Sequence, residues 1–137
     1  MSEKTFSEAE AHLHFAKQFN GKIWELLEKP ERTPEDDELL VDYTHASLAH
    51  WRVAGTEVHL QRGAWMLAHV YTILGNTALA LQHAKRCLEL TEKYKEHLSD
   101  FDFAFECMAR AQALTSNQSE AQKYLALADE AGTAIPG

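Results

Sequence analysis

The chain has 137 residues and a formal net charge of −8 at pH 7. Hydrophobic residues make up 45% of it and charged residues 25%, a composition typical of one globular domain with its own core. A nucleic-acid-binding protein needs a basic surface that displaces counterions from phosphate. The acidic run at residues 35–38 would instead repel phosphate and anionic lipid alike. The charge therefore argues against nucleic acid and membrane surfaces as partners.

The start of the sequence and its cysteines indicate a cellular compartment. Residues 1–6 lack the apolar segment of a secretion signal, and no apolar run approaches the length that spans a membrane. Cys87 and Cys107 are the only cysteines, and each lies in an apolar helical pattern. We expect both to be buried and reduced, in a cytoplasmic protein.

Capping signals and breaks predict six helices in chain order. Thr5 and Ser7 both fit a capping box for the first helix, and Thr33-Pro34 opens the second. The other caps, turns and breaks are Pro30, Gly55, Thr56, Gly75-Asn76, Ser99, Thr115, Asn117 and Gly132. No segment alternates with a period of two, so no strand is expected.

Apolar stripes at helical spacing predict which face of each helix is buried. The first helix carries the stripe Phe15, Phe19, Ile23 and Leu27. The second carries Leu39, Tyr43, Ala46 and His50, with Leu40, Leu48 and Trp51 beside that stripe. The third and fourth carry Leu60, Ala64, Leu67, Tyr71, Leu74 and Ala80, Ala84, Cys87, Leu88, Thr91.

An internal repeat of 41 residues relates the third and fourth helices to the fifth and sixth. Under this shift small residues fall on small residues, where two helices must approach closely. The aligned pairs include Leu67 with Met108, Ala68 with Ala109, and Ala80 with Ala121.

The repeat resembles the tetratricopeptide repeat, whose signature is W-x2-L-G-x2-Y followed by A-x3-F. The chain offers Ala64-x2-Leu67-Ala68-x2-Tyr71 and then Ala80-x3-Ala84. Trp65 lies one place after the expected tryptophan, the terminal proline is missing, and the repeat is about seven residues longer than usual. The sequence is also similar to bacterial helical-repeat proteins of unassigned function.

The resemblance implies an all-α fold of about six antiparallel helices in three stacked helix–turn–helix pairs, forming a right-handed superhelix. A single domain would cover residues 1–137, with a degenerate pair at 5–54 and repeat pairs at 56–97 and 99–132. The alternative is an unrelated six-helix bundle.

The same resemblance implies a function, namely a non-catalytic module or adaptor that binds a protein or peptide. The first helix of each pair lines the concave surface of such a superhelix. The predicted partner-binding residues on the third and fifth helices are Arg62, Trp65, His69, Thr72, Phe103, Glu106 and Arg110. The alternative is that Trp65 and Phe103 pack against the neighbouring pair.

Eight histidines keep two other functions open. An interhelical site of His50, Glu57 and His69 would define a metal-binding protein or a small enzyme, although a hydrogen-bonded core histidine is the simpler interpretation of His50. No phosphate loop, nucleophile elbow or CxxC pair is present, so no enzyme class and no cofactor is predicted. The third alternative is a structural subunit that forms a homo-oligomer.

Overall fold

The computed structural model describes residues 5–95, 101–114 and 118–134, and within these ranges it contains six α-helices and no β-strand. The helices are α1 (Glu8–Leu27), α2 (Pro34–Ala54), α3 (Glu57–Leu74), α4 (Thr77–Lys93), α5 (Phe101–Leu114) and α6 (Gln118–Ala134). Sequence neighbours pack as the pairs α1 with α2, α3 with α4, and α5 with α6. The predicted all-α fold of paired helices is therefore confirmed. The predicted boundaries at Ser99, Thr115 and Asn117 lie outside the described residues.

The contacts divide the chain into two compact units, Met1–Gly63 and Ala64–Gly137. The boundary falls inside α3. The first unit therefore contains α1, α2 and the beginning of α3. The second contains the remainder of α3 together with α4, α5 and α6.

Capping boxes begin both complete helices of the first unit. The hydroxyl of Ser7 accepts the Glu10 amide at 3.1 Å, and the Ser7 amide donates to the Glu10 carboxylate at 3.3 Å. Of the two predicted starts, Ser7 is therefore the N-cap. Thr33 and Asp36 make the same reciprocal pair before α2. Lys29 donates to the Asp36 carboxylate at 2.7 Å and lowers the pKa of that group.

Two small polar side chains, Thr44 and Ser47, lie on the buried face of α2. The Ser47 hydroxyl donates to the Ala16 carbonyl of α1 at 2.8 Å, and Thr44 donates to the Leu40 carbonyl of its own helix at 2.6 Å. All four of these residues are buried. Their polar atoms are satisfied by hydrogen bonds, so burying them costs little.

The buried faces of α1 and α2 agree only in part with the predicted stripes. On α2 the buried residues are Leu40 and Leu48, which the sequence places beside the predicted stripe, together with Thr44 and Ser47, which were not predicted. On α1 the predicted Ile23 is buried, but the other buried residue is Ala16, and the predicted Phe15 is 41% exposed. A stripe chosen by side-chain hydrophobicity missed Ala16 and Ser47, because a small residue and a hydrogen-bonded hydroxyl meet at the contact between α1 and α2.

Gly55 allows the end of α2 to approach the beginning of α3. An added Cβ at this position would lie 2.7 Å from the Trp51 carbonyl oxygen and 2.9 Å from both Cβ and Nδ1 of His59. The His59 ring is itself held between two contacts. It stacks on Trp51 with centroids 4.0 Å apart, and its Nδ1 accepts the Thr56 amide at 3.0 Å.

We expect Gly55→Ala to lower the free energy of unfolding by about 1–3 kcal/mol, because the methyl group meets backbone and a doubly anchored ring. Gly21→Ala is the matched control, since nothing lies within 4 Å of a Cβ at this exposed position in α1. That control should raise stability by about 0.5–1 kcal/mol. Urea unfolding of both variants measures the difference, and equal effects would contradict the close approach at Gly55.

Alanines and both cysteines are buried in the second unit. The fully buried alanines include Ala68 on α3, Ala80 and Ala84 on α4, and Ala104 and Ala111 on α5. At the α3–α4 turn, Gly75 has a φ of 78°, a conformation that glycine adopts without strain. Asn76 then caps α4 by accepting the Leu79 amide at 3.2 Å.

Cys87 and Cys107 are buried, as predicted, and no disulfide joins them. Burial raises the pKa of the Cys107 thiol far above its ordinary value. The thiol is therefore protonated at neutral pH and is a poor nucleophile.

Ala68 and Ala80 are both 0% exposed, which leaves no space for a larger side chain. Ala68→Leu and Ala80→Leu should each cost about 1–3 kcal/mol of unfolding free energy by overpacking. Ala78→Leu, at an exposed position of α4, is the control and should change stability by less than about 0.5 kcal/mol. Denaturant unfolding that finds all three variants alike would show that these contacts are loose.

Candidate functional site

Four of the predicted partner-binding residues form a connected line of side chains in the second unit. Trp65 and His69 lie one turn apart on α3, and their rings stack with centroids 4.8 Å apart and planes 15° apart. Nδ1 of His69 lies 2.9 Å from Nη1 of Arg110 on α5. Nη2 of Arg110 lies 2.5 Å from Oε1 of Glu106, one turn before it.

This arrangement fixes the tautomer of His69. A guanidinium group only donates hydrogen bonds, so Nδ1 of His69 is the acceptor and the ring proton is on Nε2. Burial lowers the pKa of His69, and the charge of Arg110 lowers it further, while Glu106 acts in the opposite direction. At pH 7 the ring is therefore neutral, which is the state that Arg110 requires.

Phe103 extends the line on α5. It lies one turn before Glu106 and is 52% exposed, an unusual position for a large aromatic side chain. Trp65 and His69 are half-buried, and Arg110 is exposed. We name the set Trp65, His69, Phe103, Glu106 and Arg110 the α3–α5 surface.

The remaining two predicted residues lie in different environments. The Thr72 hydroxyl donates to the Ala68 carbonyl at 2.7 Å, so its hydrogen is used within α3. Arg62 is exposed and belongs to the first unit. Burial lowers the pKa of His59, and the positive charge of Arg62 lowers it further.

The alternative metal ligands have separate surroundings. His50 lies against His12 of α1, with their Nδ1 atoms 2.7 Å apart. Glu57 is half-buried in the first turn of α3, and His69 is held by Trp65 and Arg110. In residues 5–95, 101–114 and 118–134, no group of three or more His, Cys, Asp or Glu side chains is arranged to hold a metal ion.

Sequence reasoning missed the pairing of His12 with His50. The pairing could have been predicted from the register of α1 against α2, which the hydrogen bond between Ser47 and Ala16 defines. His12 precedes Ala16 by one turn and His50 follows Ser47 by about one turn. In an antiparallel pair these two positions face each other.

No family model matches the sequence, and no match was found among the curated proteins or the solved structures. None of the helices in the described part of the chain is both long enough and apolar enough to cross a membrane.

The lowered pKa of His69 predicts a loss of stability on acidification. The unfolded chain takes up a proton near pH 6.5 and the folded chain only at lower pH. The stabilisation is therefore complete above pH 6.5 and is lost as the pH falls through the folded pKa. His69→Gln should lose less unfolding free energy than the parent between pH 7.5 and pH 5.5, measured in urea.

His59 also has a lowered pKa, so the variant should retain part of the pH dependence. An NMR titration of the His69 ring in the parent gives the folded pKa directly. A value at or above 6.5, or identical pH slopes for the two proteins, would contradict the assignment.

Proposed function

We propose that the chain is a non-catalytic helical-repeat module that binds a protein or peptide through the α3–α5 surface. The observation that carries the proposal is the network in which His69 and Glu106 hold Arg110 from two sides. The two residues in contact, His69 and Arg110, are 41 positions apart, which is the period of the repeat in the sequence. Equivalent positions of consecutive tetratricopeptide-like pairs would be neighbours in this way.

The network prepares an arginine for binding before a partner arrives. An exposed arginine that is free to rotate loses conformational entropy when a partner immobilises it. Arg110 already has Nη1 and Nη2 engaged, so less freedom is left to lose. Arginine and tryptophan are also the residue types that most often dominate the energy of protein interfaces.

The chemistry of the surface defines the kind of partner. A guanidinium has five N–H donors, and the contacts of Arg110 with His69 and Glu106 leave others for a carbonyl or carboxylate. Phe103 offers an exposed aromatic face to an apolar side chain. A peptide with one apolar anchor beside a carboxylate or an exposed carbonyl fits both features. We also propose a cytoplasmic location, which the reduced cysteines support.

The experiment is selection of peptides from a display library against the full chain, followed by affinity measurement on variants. Arg110→Ala should weaken the selected peptides about tenfold or more, a loss of about 1.4 kcal/mol. Arg86→Ala is the matched control because Arg86 is exposed on α4 and pairs with Glu89 at 3.3 Å. Neither change should alter the unfolding free energy by more than about 0.5 kcal/mol, since exposed ion pairs contribute little.

Phe103→Ala provides a second, independent variant of the same surface and should weaken the same peptides. Arg62→Ala tests the predicted residue of the first unit separately. Peptides whose affinity is unchanged by Arg110→Ala and Phe103→Ala would show that binding uses another face of the chain.

Self-association is a second candidate, favoured by exposed apolar side chains on the last two helices. Phe103 on α5 and Leu125 on α6 are 52% and 50% exposed, and Leu114 is exposed as well. Sedimentation equilibrium of the parent and of Leu125→Gln tests this. A monomer at all concentrations would eliminate it.

A further inference from the structure

His12 on α1 and His50 on α2 form a side-chain pair in the first unit, separate from the α3–α5 surface. Their Nδ1 atoms lie 2.7 Å apart, and their ring centroids 5.0 Å. Both side chains are half-buried. The two nitrogens come from different helices, and the contact of Ser47 with Ala16 fixes the register between those helices.

Two facing imidazole nitrogens at this distance require one electron-pair acceptor between them. If both rings carry their proton on Nε2, two lone pairs face each other and repel. If both carry a proton on Nδ1, two N–H groups collide. The pair is stable with one shared hydrogen, or with a cation that accepts both lone pairs.

We propose that His12 and His50 are the two protein ligands of an exchangeable divalent transition-metal ion, which replaces the shared hydrogen. Metal–imidazole bonds of about 2.0 Å place two neighbouring ligand nitrogens about 2.8–3.3 Å apart, depending on the angle at the metal. The observed 2.7 Å is within a few tenths of an ångström of this range. A small rotation of the rings brings the lone pairs to a common point.

The surroundings of the pair support metal ligation. Oε1 of Glu8 lies 3.9 Å from Nε2 of His12, the ring nitrogen that does not face His50. A carboxylate on that side favours the tautomer with hydrogen on Nε2, which leaves the Nδ1 lone pair for the metal. Phe15 and Phe19 flank the His50 ring with centroids 5.6 and 6.0 Å away. The two phenylalanine rings limit how the His50 ring can rotate and shield part of it from water.

The number of ligands decides the kind of site. No third His, Cys, Asp or Glu side chain completes the set among the described residues. A structural zinc site needs four protein ligands, so the pair does not fit that class. Two imidazoles with water in the remaining positions fit an exchangeable ion, and Cu²⁺ binds such nitrogen ligands most tightly of the first-row divalent metals.

The test is calorimetric titration of the full chain with Cu²⁺ at pH 7.5. The parent should bind one equivalent at least tenfold more tightly than His12→Gln or His50→Gln. His45→Gln is the control, because His45 is an exposed histidine on the same helix as His50. Its affinity should equal that of the parent.

Acidification from pH 7.5 to pH 5.5 should weaken the parent site, because protons compete for the nitrogens that bind the metal. Electron paramagnetic resonance should show two nitrogen ligands in the parent and one in each ligand variant. Circular dichroism shows whether the variants are folded. The number of nitrogen ligands in the parent is measured on the parent protein alone and does not depend on the variants. Equal Cu²⁺ affinity in the parent and both variants, or fewer than two nitrogen ligands in the parent, would overturn the proposal.

Discussion

Close approach of neighbouring helices is the constraint on which both units depend. In the first unit, the Ala16 carbonyl accepts a hydrogen bond from Ser47 across α1 and α2. A large residue at either position would push the helices apart and break this bond. In the second unit, small residues are again fully buried, at Ala68, Ala80 and Ala84. Small side chains at contacts bring backbones together and so determine which longer side chains can meet beside them.

The candidate sites are consequences of this spacing. Arg110 of α5 reaches His69 of α3, and each is preceded in the sequence by a buried alanine, Ala109 and Ala68. His12 reaches His50 because the close contact between Ala16 of α1 and Ser47 of α2 lies about one helical turn from both histidines. The side chains in both sites are ordinary surface or boundary residues, and their chemistry comes from being held at fixed positions on neighbouring helices.

The sequence was sufficient to predict the six helices and the caps at Ser7 and Thr33, because these follow from local signals. The pairing of the helices was predicted from the internal repeat and its resemblance to helical-repeat proteins. Ser7 with Glu10 and Thr33 with Asp36 form within a single turn. The buried face of α2 was not predictable in the same way. Its burial of Thr44 and Ser47 depends on hydrogen bonds to carbonyl groups, one of them on another helix. Judged by hydrophobicity alone, Thr44 and Ser47 would be placed at the surface rather than in the core.

The histidines show the same limit and also a common physical role. Spacing within one helix could not pair His69 with Arg110 or His12 with His50, because both contacts join different helices. In each case one ring nitrogen must be unprotonated, since it accepts a hydrogen bond or faces a second nitrogen. His59 follows the rule as well, because its Nδ1 accepts the Thr56 amide. Acidification acts against the contacts of His69 and His59, because both rings have lowered pKa values and each accepts a hydrogen bond through Nδ1.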